Sequence, residues 1–317
     1  HLAGLLTLML GLAATSLHAQ TYPNKPIKAI VPFAAGSATD QIGRAFAQKM
    51  SETLGQPIVV ENKAGVNGML GADLVAKSAP DGYTFLIGTN STNAALKSLM
   101  KKLPYDQDTA FAPIAYLGSV PLIVAVNNDV PAKTLKELVA LAKAKPNHLT
   151  YASASTSQRV STEVLMSMTD IQMTHVPYKG GNAHIMDLIG GRVPVIFDTA
   201  TNCMPLLKSG KVRALAVGAA TRPADLPNVP TFAEAGYPQF DFSAWYAVFA
   251  PAKTPKDVVA KLSTALSTAL KNPDVISRLN GVGVTPGNGD AAQLAKFLPG
   301  ENERIGRLIK TANIKPD

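Results

Sequence analysis

The chain has 317 residues, with 30 Lys and Arg against 22 Asp and Glu for a net charge of +8, and is long enough for two domains that each bury a core. A single cysteine, Cys203, excludes an intrachain disulfide, so the core must carry the fold unaided. The basic residues are scattered, with no Arg/Lys block and no aromatic platform, which argues against nucleic acid and for small anions.

Residues 2–17 carry no charge and are mostly Leu, Ala, Gly and Met, and His18-Ala19-Gln20 forms a cleavage junction. Residues 1–19 are therefore expected to be a secretory signal peptide, without the basic start such leaders have and without a junction cysteine for lipid attachment. Export implies an oxidising compartment. Beyond the leader no stretch is long and apolar enough to span a bilayer.

Dense βα alternation follows. Residues 27–33 read as a strand that ends at Pro32-Phe33 in the small residues Ala34, Ala35, Gly36, Ser37 and Ala38. From Thr39 and Asp40 the pattern turns helical, with Ile42, Phe46, Met50 and Leu54 on one stripe and Gly55 as the stop. A strand, a small-residue turn and a helix N-terminus together suit an anion, because backbone N–H groups and the helix dipole point the same way. It is neither a P-loop nor a GxGxxG turn. Residues 57–61 read as a second strand, 65–77 as a helix and 83–89 as a third strand, which enters a polar turn over residues 89–93 containing Asn90 and Ser91.

Two extended runs, 115–118 and 122–127, are separated by Ser119, Val120 and Pro121. An amphipathic helix through Lys145 and a strand over 149–153 deliver a second small-residue loop, Ser153, Ala154, Ser155, Thr156, Ser157, Gln158 and Arg159. Ser155 and Gln158 have capping-box spacing, so a second helix N-terminus stands at a strand end about 120 residues after the first. The pattern continues with a strand over 173–178, a helix over 180–189, a buried strand over 193–198 ending in Asp198 and Thr199, a short helix over 202–208 and a strand over 212–217. After a Pro-punctuated loop come an extended aromatic run over 243–251, a helix started by Thr254-Pro255, a small strand near Val284 and a helix from Asp290 to about Thr311.

The alternation predicts an α/β protein of two lobes, each a mostly parallel sheet flanked by helices, with the cleft between them. Residues 122–127 and 243–251 are the expected crossings. Lobe 1 would then be discontinuous, residues 20–121 and 244–317, with lobe 2 formed by 122–243. No catalytic constellation is visible. Outside the leader the histidines are His148, His175 and His184, none in HExxH spacing, there is no GxSxG elbow, and Cys203 reads as a packed small hydrophobe. Asp40 and Asp198 could form a carboxylate pair, although carboxylates at strand–loop junctions commonly cap amides and orient loops. No enzyme activity, metal or cofactor is expected.

Several motifs occur in order. They are Pro32-Phe33-Ala34 with Gly36 and Thr39-Asp40, Val59-Val60-Glu61-Asn62-Lys63-Ala64-Gly65, Ala79-Pro80-Asp81-Gly82-Tyr83-Thr84, and Leu103-Pro104-Tyr105-Asp106. His175-Val176-Pro177-Tyr178-Lys179-Gly180, Gly210-Lys211-Val212-Arg213-Ala214-Leu215-Ala216 and Pro230-Thr231-Phe232-Ala233-Glu234-Ala235-Gly236 follow. Over essentially the whole chain after the leader this resembles the substrate-binding proteins of tripartite tricarboxylate transporters, the Bug receptors. The resemblance implies a type II-like periplasmic binding protein, not an enzyme, that closes on a small carboxylate and passes it to membrane permease subunits; a monomer is expected. A periplasmic sensor subunit for a membrane kinase is the alternative.

In that family the proximal carboxylate is held between the lobes by backbone amides and water. The resemblance places ligand contacts at Phe33, Ala35, Gly36, Ser37, Thr39, Asp40, Asn90 and Ser91 on the first lobe. On the second it places them at Ser153, Ala154, Ser155, Thr156, Ser157, Arg159, Asp198 and Thr199. Two departures stand out: the glycine-rich turn is Gly36-Ser37-Ala38, and Arg159 stands where relatives often carry His. Arg159 is expected either to meet a second carboxylate bidentately or to be structurally paired or solvent-facing. The first case favours an aromatic dicarboxylate of the terephthalate type against Phe33, ahead of aliphatic di- or tricarboxylates and aromatic monocarboxylates.

Overall fold

The computed structural model describes residues 22–178, 182–240 and 242–316. The expected signal peptide and the start of the helix expected from residue 180 lie outside them. Ten strands run in the order β1 (Ile27–Val31), β2 (Ile58–Asn62), β3 (Thr84–Thr89), β4 (Phe111–Asn127), β5 (Thr150–Ser153), β6 (Thr174–Pro177), β7 (Val195–Thr199), β8 (Val212–Val217), β9 (Ser243–Pro251) and β10 (Thr285–Pro286). The helices that position the site are α1 (Ala38–Leu54), α2 (Met69–Ala76), α3 (Leu96–Leu99), α4 (Leu135–Ala144), α5 (Thr156–Thr169), α6 (Ala183–Ile189) and α7 (Ala200–Lys208). They are followed by α8 (Lys256–Leu270), α9 (Pro273–Gly281) and α10 (Ala291–Thr311).

One strand belongs to two sheets. From Phe111 to Pro121, β4 pairs antiparallel with β9, which continues through β3 and β1 to β2. From Leu122 onward it lies between β7 and β8, and β7 leads on to β5 and β6. Residues Leu122–Val126 are fully buried, as expected of a strand covered on both faces. The sequence read β4 as two runs broken around Pro121. Pro121 instead sits where the pairing partner changes from β9 to β7, a position that tolerates a residue with no N–H to give a ladder. Register shifts after Pro113 and Tyr116 bend the strand on its way to this point.

The sheets are mixed rather than mostly parallel. The outer strands, joined by helical crossovers, are parallel: β1 with β2 and β3, and β5 with β6 and β7. The central strands β4 and β9 carry the chain between the two halves in opposite directions, so their pairings are antiparallel. Two further differences are local. Helix α9, started by Asn272 capping Asp274 and Val275 with Pro273 at its first position, was missed although its start signal is complete. The polar turn after β3 is a π-helical turn, Ser91–Ala95, that runs into α3. Gly88 makes room for it, since a Cβ there would meet Asn93 Oδ1 at 2.3 Å and the Phe249 ring at 2.6 Å.

The core is continuous across both halves. Ile42, Phe46 and Met50 bury the inner stripe of α1, as the 3.6-residue spacing predicts, and Leu135, Leu138, Val139 and Ala142 do the same for α4. Behind the second sheet Phe232 and Phe240 stack at 3.9 Å between ring centroids, and both approach Phe197.

Candidate ligand cleft

Two strand-to-helix loops face each other across the line where β4 changes sheets. After β1, Gly36 adopts φ +79, the left-handed conformation that suits glycine, and Ser37 caps α1 by accepting the Asp40 N–H. Asp40 reaches back and accepts the Gly36 N–H at 2.9 Å. Burial alone would raise the Asp40 carboxyl. Hydrogen bonds from Arg44, the Gly36 N–H and Asn62 outweigh it and hold the group below the ordinary carboxylate range. After β5, Ser155 caps α5 by accepting the Gln158 N–H, and Gln158 Oε1 accepts the Ala154 N–H at 2.5 Å.

A third loop crosses the cleft directly. Ser157 Oγ donates to Asn90 Oδ1 at 2.9 Å, its N–H donates to Ser91 Oγ at 3.1 Å, and the two serine hydroxyls lie 2.7 Å apart. All three residues are buried. At the fourth corner, the end of β7, Asp198 Oδ1 accepts from the Thr199 N–H and from Asn202 Nδ2, while its Oδ2 meets His184 Nε2 at 2.7 Å.

The space enclosed is about 60 Å³, room for a few waters or a carboxylate group. Of the residues expected at the site, the structure brings Phe33, Ser37, Thr39, Asn90, Ser91, Ala154, Ser155, Ser157, Asp198 and Thr199 to its wall. Ala35, Gly36, Asp40, Ser153, Thr156 and Arg159 do not line it. Gly36 and Asp40 shape the loop from behind, and Ser153 Oγ lies 2.7 Å from His175 Nε2. Arg159 is turned away: its Nε donates to Glu163 Oε1 at 2.7 Å and its Nη2 to the Lys315 carbonyl at 3.1 Å. That is the structurally paired case, and it removes the geometric ground for a second anion anchor at this residue. Nor do Asp40 and Asp198 pair, since each carboxylate is held by its own set of partners.

The sequence reading missed Ala38, Thr89, Leu122, Gln158, His184, Asn202, Ala244 and Tyr246, which also line the cleft. Gln158 could have been found, because its capping role puts it at the loop. Ala244 and Tyr246 could not, because β9 reaches the cleft only through pairing with strands more than a hundred residues away. Among the described residues no Lys or Arg lines the wall, so the net positive charge of the chain is not what would hold an anion here. That task falls to the N-terminal ends of α1 and α5, each worth roughly half a positive charge.

The family comparison agrees with this architecture. Residues 42–314 match the family described as the tripartite tricarboxylate transporter family receptor. The chain belongs to this receptor family. It is 34% identical to Protein BugT of Bordetella pertussis over 95% of this chain and 94% of that protein. A solved periplasmic transporter shares 40% identity at a TM-score of 0.90, covering 93% of this chain and all of that one. Rpa4515 of R. palustris, solved with adipate, shares 34% identity at a TM-score of 0.90, over 93% of this chain and 100% of the other. MatC of Rhodopseudomonas palustris, solved with bound malate, shares 35% at 0.86, over 91% and 100%. The receptor therefore has the α/β fold of periplasmic binding proteins, and it is a solute-binding protein rather than an enzyme.

Proposed function

We propose that this receptor captures one small carboxylate in the periplasm and presents it to the membrane permease of a tripartite tricarboxylate transport system, acting as a monomer. Its lobes are residues 20–121 with 244–317, and residues 122–243. The observation that carries this reading is the convergence of two capped helix N-termini, α1 and α5, on one small cleft with hydroxyl and amide side chains and no Lys or Arg among its described lining residues. An anion held by backbone dipoles and neutral donors would bridge the loops already joined by Ser157, Asn90 and Ser91.

Within the carboxylates, an aliphatic dicarboxylate is favoured, supported by relatives solved with adipate and malate and by the narrowness of the space. A flat aromatic acid of the terephthalate type is the second reading, because Phe33 and Tyr246 both line the cleft. Calorimetry with malate, adipate, citrate, benzoate, terephthalate and glucose tests the proposal. At least one acid is expected to bind, with compaction in solution scattering. If every acid is inert and the neutral sugar binds, the anion reading is wrong. Loss of labelled-ligand uptake in a strain lacking the receptor separates transport from sensing.

A further inference from the structure

Among the described residues the wall of the cleft holds one acid, Asp198, and one base, His184, and they touch. Asp198 is 0% exposed and His184 1%. An ionised Asp198 places a full negative charge in the wall of a cleft that is to receive a carboxylate, and two carboxylates sharing a site disfavour each other's charged form. Thr199 and Asn202 satisfy Asp198 Oδ1 but are neutral, so they leave the charge in place. The ends of α1 and α5 contribute only partial charges. Among the described lining residues His184 is the side chain that can cancel the charge outright.

We propose that His184 is the counter-charge of the cleft, so that the anion is admitted beside a net-neutral imidazolium–carboxylate pair and its capture is accompanied by uptake of one proton at His184. This rests on the carboxylate reading above. In the neutral ring Nε2–H donates to Asp198 Oδ2, leaving the lone pair on Nδ1. Nδ1 is buried and has no hydrogen-bond partner among the described residues, so it can take a proton without any existing bond being broken. Because Nδ1 is sealed in the closed form, the proton exchanges while the lobes are apart and is trapped with the ligand.

The described tyrosines and the cysteine around the pair hold their own protons. Tyr178, from the end of β6, lies 6.0 Å from the His184 ring and donates to Asp187, which is on the same helix as His184 and pairs with Arg192. Burial, then the hydrogen bond to Asp187, push the Tyr178 hydroxyl up to about 12. Tyr246 from β9 and Cys203 from α7 are both raised by burial and then by Asp198, so they stay neutral too.

The test is calorimetry with adipate as the probe from pH 7 to 8.5, where both carboxyls of the diacid are ionised, in phosphate and in Tris, whose ionisation heats differ. Wild-type protein is expected to take up a proton on binding, with Kd rising by up to about tenfold per pH unit on the alkaline side. His184→Gln leaves the Asp198 charge uncancelled and should bind adipate far more weakly than wild type at every pH, and Asp198→Asn should flatten the pH profile. Binding by wild type with no proton uptake overturns the inference and leaves the carboxylate reading standing, as does a folded His184→Gln that binds adipate as tightly as wild type. Should adipate, malate and terephthalate all fail to bind at every pH, both fall together. If circular dichroism shows that neither variant folds, the wild-type proton count and pH profile decide by themselves.

Discussion

In the loop after β1, Ser37 caps α1 and Asp40 reaches back to the Gly36 N–H; in the loop after β5, Ser155 caps α5 and Gln158 reaches back to the Ala154 N–H. The geometry repeats and the chemistry does not. Asp40 is charged and needs Arg44 and Asn62 to hold it, which ties its loop into the first sheet through β2. Gln158 is neutral and needs no ion partner, and the neighbouring Ser157 spends its hydrogen bonds on the opposite loop. One loop is anchored to its own lobe, and the other is coupled across the cleft.

The comparison can be broken most directly at Asp40. Asp40→Ala should lower unfolding free energy by about 2–3 kcal/mol in urea melts, since it strips several charge-assisted bonds at once and takes from Arg44 its carboxylate partner. Acid should act on the same loop. Because the folded Asp40 sits below the ordinary carboxylate range, its contribution is present at neutral pH and is lost as pH falls through that lowered value. Asp40→Asn should therefore flatten the decline in urea midpoint between pH 5 and pH 2.5, whereas no Gln158 variant should. Gln158→Ala is expected to cost less, about 1–2 kcal/mol, by orphaning the Ala154 N–H. If it costs more than Asp40→Ala, the contrast between the loops is wrong.

The cap substitutions Ser37→Ala and Ser155→Ala sharpen the likeness rather than the difference. Each should cost about 1 kcal/mol, and nearly equal values are expected from thermal melts. The smallest effect on ligand choice is expected at Arg159, whose guanidinium is mostly buried against Glu163 and also bonds the Lys315 carbonyl. Arg159→Ala should act on stability instead, costing about 1–3 kcal/mol. It should weaken a dicarboxylate and its monoester alike, which paired titrations would show; selective loss of the diacid would return Arg159 to the ligand.

What was legible in the chain is what neighbours in sequence decide. The stripes of α1 and α4, the strand end at Ser153 and the Ser155 cap follow from spacing over a few residues. What was not legible depends on pairing at a distance. The unbroken course of β4 through Pro121 is set by partners arriving from β9 and β7. His184 shares a short helix with Ile185 and Leu188, so in sequence it reads as an ordinary core position; only the fold brings Asp198 to it. The π-helical turn after Thr89 is invisible for the same reason, because a run of Ser, Thr and Asn bends to suit the strand packed beside Gly88.

The sharing of β4 fixes an order of assembly. Strands β5 to β8 and the half of β4 they pair with lie within one unbroken stretch of chain, so the second sheet can close soon after Val217 has been made. The first sheet has a gap between β3 and β4 that β9 fills, and Phe111 meets Pro251, which lies 140 positions further along the chain. During synthesis the β3 edge lacks its neighbour until β9 has emerged, and an unpaired edge is where misassembly is expected to begin.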